Sequence, residues 1–338
     1  MKVTIRSVAK LAGVAPSTVS HYLNQSAPIS PVTAQSVERA IVALNYRVNL
    51  GARSLRVRKT HSIGLVIPNI STPFFGELAS VIENALWDRD YQTLLCISQR
   101  DVERELLQLA NLVSRQVDGI LLAYTSEQTK AIRFSKEIAV PFVFIDRPVP
   151  GEYSVATDNY HGGQLAARHL VELGHRCIGM LCGEAEIQNV AERIDGFQTE
   201  LRRSGFEVSP AYMLHGQQEL QLGIRVAELL AMEPRPTAVF ATNDIVAVGA
   251  WRTLLEAGFR VPQDFSIVGF DDIEISRFLV PPLTTVGQPT SEMGAKAVDL
   301  LLQLMSHQAE DGNKVATNFL VAPTLFIRGS TATPSTNK

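Results

Sequence analysis

Three cysteines in 338 residues, Cys96, Cys177 and Cys182, are too few and too scattered for a disulfide framework. None belongs to a C-x-x-C pair and no histidine pair stands near them, so no metal site is expected. Their apolar, strand-like surroundings point to buried free thiols instead. The chain also lacks any run of about 18 apolar residues, the length a membrane-spanning helix needs. Its N-terminus carries no charged, apolar and small-residue leader, and a cytoplasmic protein with no membrane partner is expected. Phosphate-cradling loops are missing as well: no G-x-G-x-x-G follows the first strand and no G-x-x-x-x-G-K-[ST] occurs. Neither G-x-S-x-G nor H-E-x-x-H is present, nothing repeats at a fixed period, and no cofactor is implied.

Acid is nearly absent from the first sixty residues. Nine lysines and arginines face Glu38 alone, a net +8, while the whole chain is −3 and the remainder is therefore −11. Such asymmetry suits a basic DNA-binding arm on an acidic body. A solvated basic tail would carry no periodicity, yet Thr4 to Leu23 does: Ile5, Val8, Leu11, Val14, Val19 and Leu23 are spaced to bury one side of two short helices. Gly13 can take the left-handed conformation that ends the first, and Pro16 fits the first turn of the second. This is a helix-turn-helix pattern, with Pro16 to Leu23 as the helix laid in the major groove. A third helix over Pro31 to Leu44, with Val32, Val37, Ala40, Ile41 and Leu44 as its stripe, closes a small all-α head. Asn45 to Lys59 is strongly basic and too short to be a stable helix alone in water.

From Ser62 the texture alternates. Strands are predicted over Ile63 to Ile67, Thr93 to Ile97, Gly119 to Ala123, Phe142 to Ile145, Cys177 to Leu181, Ala238 to Ala241 and Ser266 to Gly269. Helices over Phe75 to Asp88, Glu103 to Arg115, Gly163 to Leu173, Arg193 to Ser204, Leu222 to Ala231 and Ile245 to Gly258 lie between them. Alternation of this kind means parallel sheets covered by helices. Its length, broken by a loop-rich stretch near Pro148 to Asp158, favours two α/β subdomains, whose ligands gather beyond the carboxyl ends of the strands.

On these residues the chain resembles the lactose-repressor and galactose-repressor family of bacterial transcription regulators. The likeness runs from about Val3 to about Arg328. It rests on TIRSVAKLAGVAPSTVS, on Asn45 and Tyr46 followed by Ala52 to Leu55, on Ile63 to Pro68 with Pro73, Phe74 and Phe75, and on Asp118 to Leu121. Asn243 and Asp244, Val261 to Asp264 and Val268 to Asp272 complete it. The resemblance implies a head at 1–45, a hinge at 46–60 and a periplasmic-binding-protein-like core at 61–330, with a tail at 331–338. Three crossings would divide the core into an N-subdomain of about 61–157 and 288–316 and a C-subdomain of about 158–287 and 317–330. A homodimer on palindromic operator DNA is implied, without a C-terminal zipper, since only GSTATPSTNK follows Arg328.

DNA contacts are expected from Thr4, Pro16, Ser17, Thr18, Ser20, His21 and Asn24, with Arg53, Leu55 and Arg56 in the hinge. The chain departs from the family at Ala15, where a capping serine is usual, at His21, commonly arginine, and at Val48, often proline. Gly51 costs a hinge helix about 1 kcal/mol. For the effector, Phe74, Phe75, Asp146, Arg147, Arg193, Asn243, Asp271 and Gln288 fall where ribose-binding relatives of the periplasmic group hold their sugar. Each has a structural alternative: core packing for the two phenylalanines, an ion pair or solvated turn for Asp146 and Arg147. Read as a site, an aromatic pair covers the apolar face of a sugar ring while carboxylate and guanidinium grip its hydroxyls. A monosaccharide effector that releases the repressor is the expectation. Arg147 stands where purine-binding relatives place an aromatic, which argues against a purine. Two other readings stay open: a co-repressor that strengthens operator binding, and a sugar-processing enzyme using Asp146 and Asp271 as an acid and base pair.

Overall fold

The computed structural model describes residues 3–24, 26–46, 59–123, 128–184, 186–217, 219–306 and 317–335. They form two compact units, Met1–Thr60 and His61–Lys338. In the smaller unit, α1 (Ile5–Ala12), α2 (Pro16–Asn24) and α3 (Pro31–Ala43) pack around Val8, Ala9, Val19, Val37 and Ala40. Gly13 ends α1 at φ +68°, with its N–H donated to Ala9 O. Pro16 opens α2, where a missing N–H costs nothing, and Ala15 supplies only its carbonyl, which accepts from Thr18 N at 3.0 Å. Ser30 caps α3 by accepting from Thr33 N at 3.2 Å. Two residues expected in this core lie outside it: Leu11 is 55% exposed and Val32 74%. At about 100° per residue Leu11 falls about 60° off the arc through Val8 and Ala12, and Val32 about 80° off the arc through Val37 and Ala40, so both point away from the packed side.

The larger unit holds two six-stranded sheets. The first, in the order β11-β5-β4-β3-β1-β2, joins β1 (Ser62–Ile67), β2 (Gln92–Ile97), β3 (Gly119–Leu122), β4 (Phe142–Ile145), β5 (Ser154–Thr157) and β11 (Asn318–Val321), all parallel. The second, β12-β10-β9-β8-β6-β7, joins β6 (Ile178–Cys182), β7 (Met213–His215), β8 (Ala238–Ala241), β9 (Ser266–Asp271), β10 (Thr284–Gly287) and β12 (Thr324–Phe326). Here β12 runs antiparallel to β10, so this sheet is parallel except at one edge. Central strands such as β3, β4 and β8 are buried throughout, as strands covered by helices on both faces must be.

The chain passes between the sheets three times: after Thr157, after Gly287 and after Val321. Asn318–Val321 pairs with Ser154–Thr157, so the last crossing lies beyond 321 and the stretch from 317 does not belong wholly to the C-subdomain. The same pairing corrects the loop-rich reading of Pro148 to Asp158, which contains β5. Helices α4 (Pro73–Trp87), α5 (Val102–Ser114) and α6 (Gln128–Glu137) serve the first sheet. Then α7 (Asn159–Glu172), α8 (Gln188–Arg203), α9 (Glu219–Ile224), α10 (Val226–Leu230) and α11 (Asp244–Glu256) serve the second, and α12 (Thr290–Ser306) returns to the first, where Met293, Ala297 and Leu301 enter its core.

Two details fix the second sheet's surroundings. A Cβ on Gly163 would come far closer than van der Waals contact to Arg193 O, and one on Gly196 to Tyr160 O, so α7 and α8 meet backbone to backbone. His175, buried before β6, stands 2.8 Å from Thr237 Oγ1 and donates from Nε2 to Ala332 O at 2.9 Å, which ties the chain's last described segment to the sheet. All three cysteines are free, but only Cys182 is buried. Cys96 lies on edge strand β2 and Cys177 ahead of β6, and both are half-exposed. Among the described residues no helix is long and apolar enough to cross a membrane.

Candidate effector cavity and DNA-reading surface

Between the two sheets lies a cavity of about 300 Å³. Its wall follows the carboxyl ends of β1, β2 and β4 in the first sheet and of β6 to β10 in the second, the place where open α/β folds take ligands. All eight residues expected at an effector site from the sequence line it. Two strand ends carry the main carboxyls in backbone conformations that non-glycine residues seldom adopt: Asp146 at φ +73° and Asp271 at φ +114°. Such strain persists only where the surroundings enforce it, and it concentrates at functional sites.

Arg193 is the most constrained group in the wall. Its Nε donates to Asn159 Oδ1 at 2.8 Å, and Nη1 donates to Thr242 O at 2.7 Å and reaches Asp271 Oδ1 at 3.4 Å. The guanidinium carbon also stands 3.8 Å from the Phe270 ring centroid. Asp271 Oδ1 accepts in addition from Gln288 Nε2 at 2.7 Å, and Gln288 Oε1 accepts from Thr157 Oγ1 at 2.8 Å. One hydrogen-bonded chain therefore runs from α8 through the end of β9 to two of the three crossings. Asp146 differs: it is buried, and its Oδ1 finds no hydrogen-bond donor. Burial pushes its carboxyl pKa up, opposed by Arg147, Arg193, a hydrogen bond from Asn189 and Arg100.

The remaining expected residues have dual roles. Phe74 and Phe75 sit edge to face, with centroids 5.0 Å apart, and belong to the first sheet's core while also lining the cavity. Asn243 caps α11, its Oδ1 accepting from Val246 N at 2.8 Å, which leaves its amide N–H groups for the cavity. Sequence reasoning missed Arg100, Glu184 and Asn189. Arg100 follows β2 and Glu184 follows β6, 3.9 Å apart across the cavity, and Asn189 opens α8 with a buried Oδ1 that has no partner. Polar residues just after strand ends were the available signal for the first two; Asn189, inside a helix one turn before Arg193, gave none.

In the head, Ser17 and His21 are exposed on the side of α2 opposite Val19, which is fully buried, and Pro16 is exposed at the helix's first residue. Thr18 and Ser20 are half-buried, and Asn24 is the last residue of the helix. His21 Nδ1 pairs with Ser26 Oγ at 2.9 Å, so Nε2 is the nitrogen available outward. Thr4 precedes α1 as its cap, its N–H donating to Ser7 Oγ at 3.3 Å. Arg53, Leu55 and Arg56 lie outside the described residues.

Comparison with known proteins follows the same division. Residues 4–49 match the family described as bacterial regulatory proteins, lacI family, and residues 167–331 match the periplasmic binding protein-like domain. A relative from Haemophilus influenzae, the HTH-type transcriptional repressor PurR, is 36% identical over 332 residues, 97% of this chain and 98% of the relative. The ribose operon repressor of Escherichia coli is 35% identical over 331 residues, 97% of this chain and 99% of that protein. Among solved structures, the lac repressor dimer bound to operator and the anti-inducer ONPF superposes with a TM-score of 0.88 at 30% identity, over 98% of this chain and 100% of that one. These relatives are named repressors and none of them an enzyme. A helix-turn-helix head, a two-sheet core and relatives matched along nearly their whole length place the chain in the lacI family of bacterial regulatory proteins, as a DNA-binding transcriptional repressor.

Proposed function

We propose that this repressor acts in the cytoplasm as a homodimer on a palindromic operator and is released by a monosaccharide, pentose or hexose, bound in the cavity between its sheets. The observation that carries the ligand class is the Asp146 carboxyl: a buried oxygen without a donor, facing a wall otherwise rich in guanidinium donors. An unpaired buried acceptor costs about 1 to 3 kcal/mol. Sugar hydroxyls supply the missing donors and accept from Arg147 and Arg193, while Phe74 covers the ring's apolar face. One relative is named for a ribose operon, which supports the same class.

Calorimetry of the full-length protein against pentoses, hexoses and purine bases tests this. A sugar should bind without turnover and raise the melting temperature, since ligand at 100 times its Kd adds about 2.7 kcal/mol of stability. Tight binding of a purine and no sugar would overturn the reading. Operator binding measured with and without that sugar fixes the sign: release supports an inducer, and a requirement for ligand makes it a co-repressor.

The dimer follows from the head, because one helix-turn-helix unit offers too little surface for specific binding and two related by a two-fold axis read a palindrome. Light scattering should give a dimer at micromolar concentration. In the hinge, Leu55 serves as a wedge at the central base step, flanked by Arg53 and Arg56, and Leu55→Ala should abolish operator bending while sugar affinity is kept.

A further inference from the structure

We propose that Glu184 sets the charge class of the effector: by holding Arg100 across the cavity, it admits a sugar with free hydroxyls and rejects the phosphate ester of the same sugar. This inference rests on the monosaccharide reading above and deepens it.

Arg100 and Glu184 come from opposite walls, one after β2 of the first sheet and the other after β6 of the second. Their side chains are 42% and 31% exposed, so they stand on the solvent side of the cavity, whereas Arg193 and Asp271 are buried at its floor. Arg100 is firmly placed. Gln99 and Arg100 both hold left-handed backbone at φ +57° and +58°, Gln99 N donates to Pro68 O at 2.7 Å, and the next residue, Asp101, caps α5 by accepting from Arg104 N at 2.9 Å.

The wall holds three guanidiniums, on Arg100, Arg147 and Arg193, and three carboxyl groups, on Asp146, Glu184 and Asp271. Arg193 is already committed to Asn159, Thr242 and Asp271 at the floor, and Arg147 adjoins Asp146. Arg100 is therefore the guanidinium a phosphate near the mouth would need, and Glu184 is beside it. A phosphate ester brings a charge of about −1.5 to −2 at pH 7, and in a cavity of this size that charge lies within about one Debye length of Glu184. Repulsion of this kind is how a site rejects one ligand without loss of affinity for another.

A neutral hydroxyl meets no such penalty. The Arg100 to Glu184 separation of 3.9 Å is longer than a hydrogen bond, and one hydroxyl can accept from Arg100 while donating to Glu184.

The test is titration calorimetry of the full-length protein with D-ribose, D-xylose, D-glucose and D-galactose and with the terminal phosphates of the same four sugars. Wild type should bind its preferred free sugar at least about tenfold more tightly than the matching phosphate. Glu184→Gln should reduce that ratio by about tenfold or more through a gain in affinity for the phosphate ester, and Arg100→Gln, which leaves Glu184 unopposed, should enlarge it. Both side chains are part-exposed, so thermal melts of the variants should stay close to wild type. If Glu184→Gln nonetheless failed to fold, the direction of the Arg100→Gln change would decide. A phosphate ester that binds wild type as tightly as the free sugar, or a ratio unmoved by Glu184→Gln, overturns this inference and leaves the sugar reading standing. Failure of all eight compounds to bind overturns both.

Discussion

Asp244 and His175 pull stability in opposite directions as pH changes. Asp244, fully buried behind Asn243, accepts from Ser276 Oγ and Thr285 Oγ1, each at 2.6 Å, and from Ile273 N at 3.0 Å; burial nevertheless pushes its carboxyl up to about 7. Its folded pKa lies above the unfolded value of 3.8, so the folded state holds the extra proton and stability falls as pH rises from about 4 to about 7. Burial pushes the His175 imidazole down to about 4 from 6.5, and there the unfolded state holds the extra proton: stability is complete above 6.5 and is lost as pH falls towards 4. At 1.36 kcal/mol per pKa unit each effect is worth up to about 3 to 4 kcal/mol across its window. Relative to wild type, Asp244→Asn should therefore gain stability as pH rises from 4 to 7, and His175→Gln should gain as pH falls from 6.5 to 4. Melting curves in which both variants track wild type at every pH would contradict this. A third residue, His21, bears on the operator. With Nδ1 engaged by Ser26, its Nε2 can make one bond to a base edge, and His21→Ala should cost about 1 to 3 kcal/mol on the true operator and little on random DNA. Equal losses in gel-shift titrations on both DNAs would reduce it to a phosphate contact.

At the scale of elements, the contact of α7 with α8 governs where the cavity's arginine sits. Gly196 lies one turn after Arg193, and a methyl group there would meet a backbone oxygen, which no rotamer change can relieve. Gly196→Ala should destabilise the protein by about 1 to 3 kcal/mol, the usual cost of overpacking, and should also weaken sugar binding because α8 must shift. Unchanged melting temperature and affinity would mean that the helices are not so close. Elements of this kind were only partly legible in the sequence. Phe142–Ile145 and Ala238–Ala241 stand out as buried apolar runs between turn residues and match the expected strands residue for residue. Strands β5, β7, β10, β11 and β12 did not stand out, because each has three or four residues and, unlike β4 and β8, each includes a polar residue that breaks the apolar run; β11 moreover pairs with β5 across the intervening β6 to β10. The cavity wall shows the same division. Asp146 and Arg147 could be named because they close a recognisable strand, whereas the Arg100 and Glu184 pair comes into being only when two subdomains face each other.

On the scale of the whole molecule, Gln288 joins the effector cavity to the crossings between the subdomains. It lies on the second crossing, takes the hydroxyl of Thr157 at the first, and donates to Asp271, which also faces Arg193. On the proposed reading, a sugar that engages Asp271 acts on the crossings between the subdomains, and it can shift an equilibrium between two subdomain arrangements only by binding one better than the other, with a coupling of typically about 1 to 3 kcal/mol. Asp271→Asn keeps the side chain's size while removing the charge that Arg193 and Gln288 converge upon. The asparagine oxygen can still accept from Arg193 and Gln288, but removing one charge of a buried ion pair costs up to about 3 to 5 kcal/mol, so binding is read at a temperature where the variant is fully folded. The expected product is a repressor that, where folded, holds its operator at wild-type affinity and no longer lets go when sugar is added, because the ligand has lost its preference between the two arrangements. Fluorescence anisotropy on labelled operator across a sugar titration reads this directly. Should the variant release operator at the wild-type sugar concentration, Asp271 has no part in the signal; should wild type bind operator only with sugar present and the variant not at all, the ligand is a co-repressor and the direction of the switch is reversed.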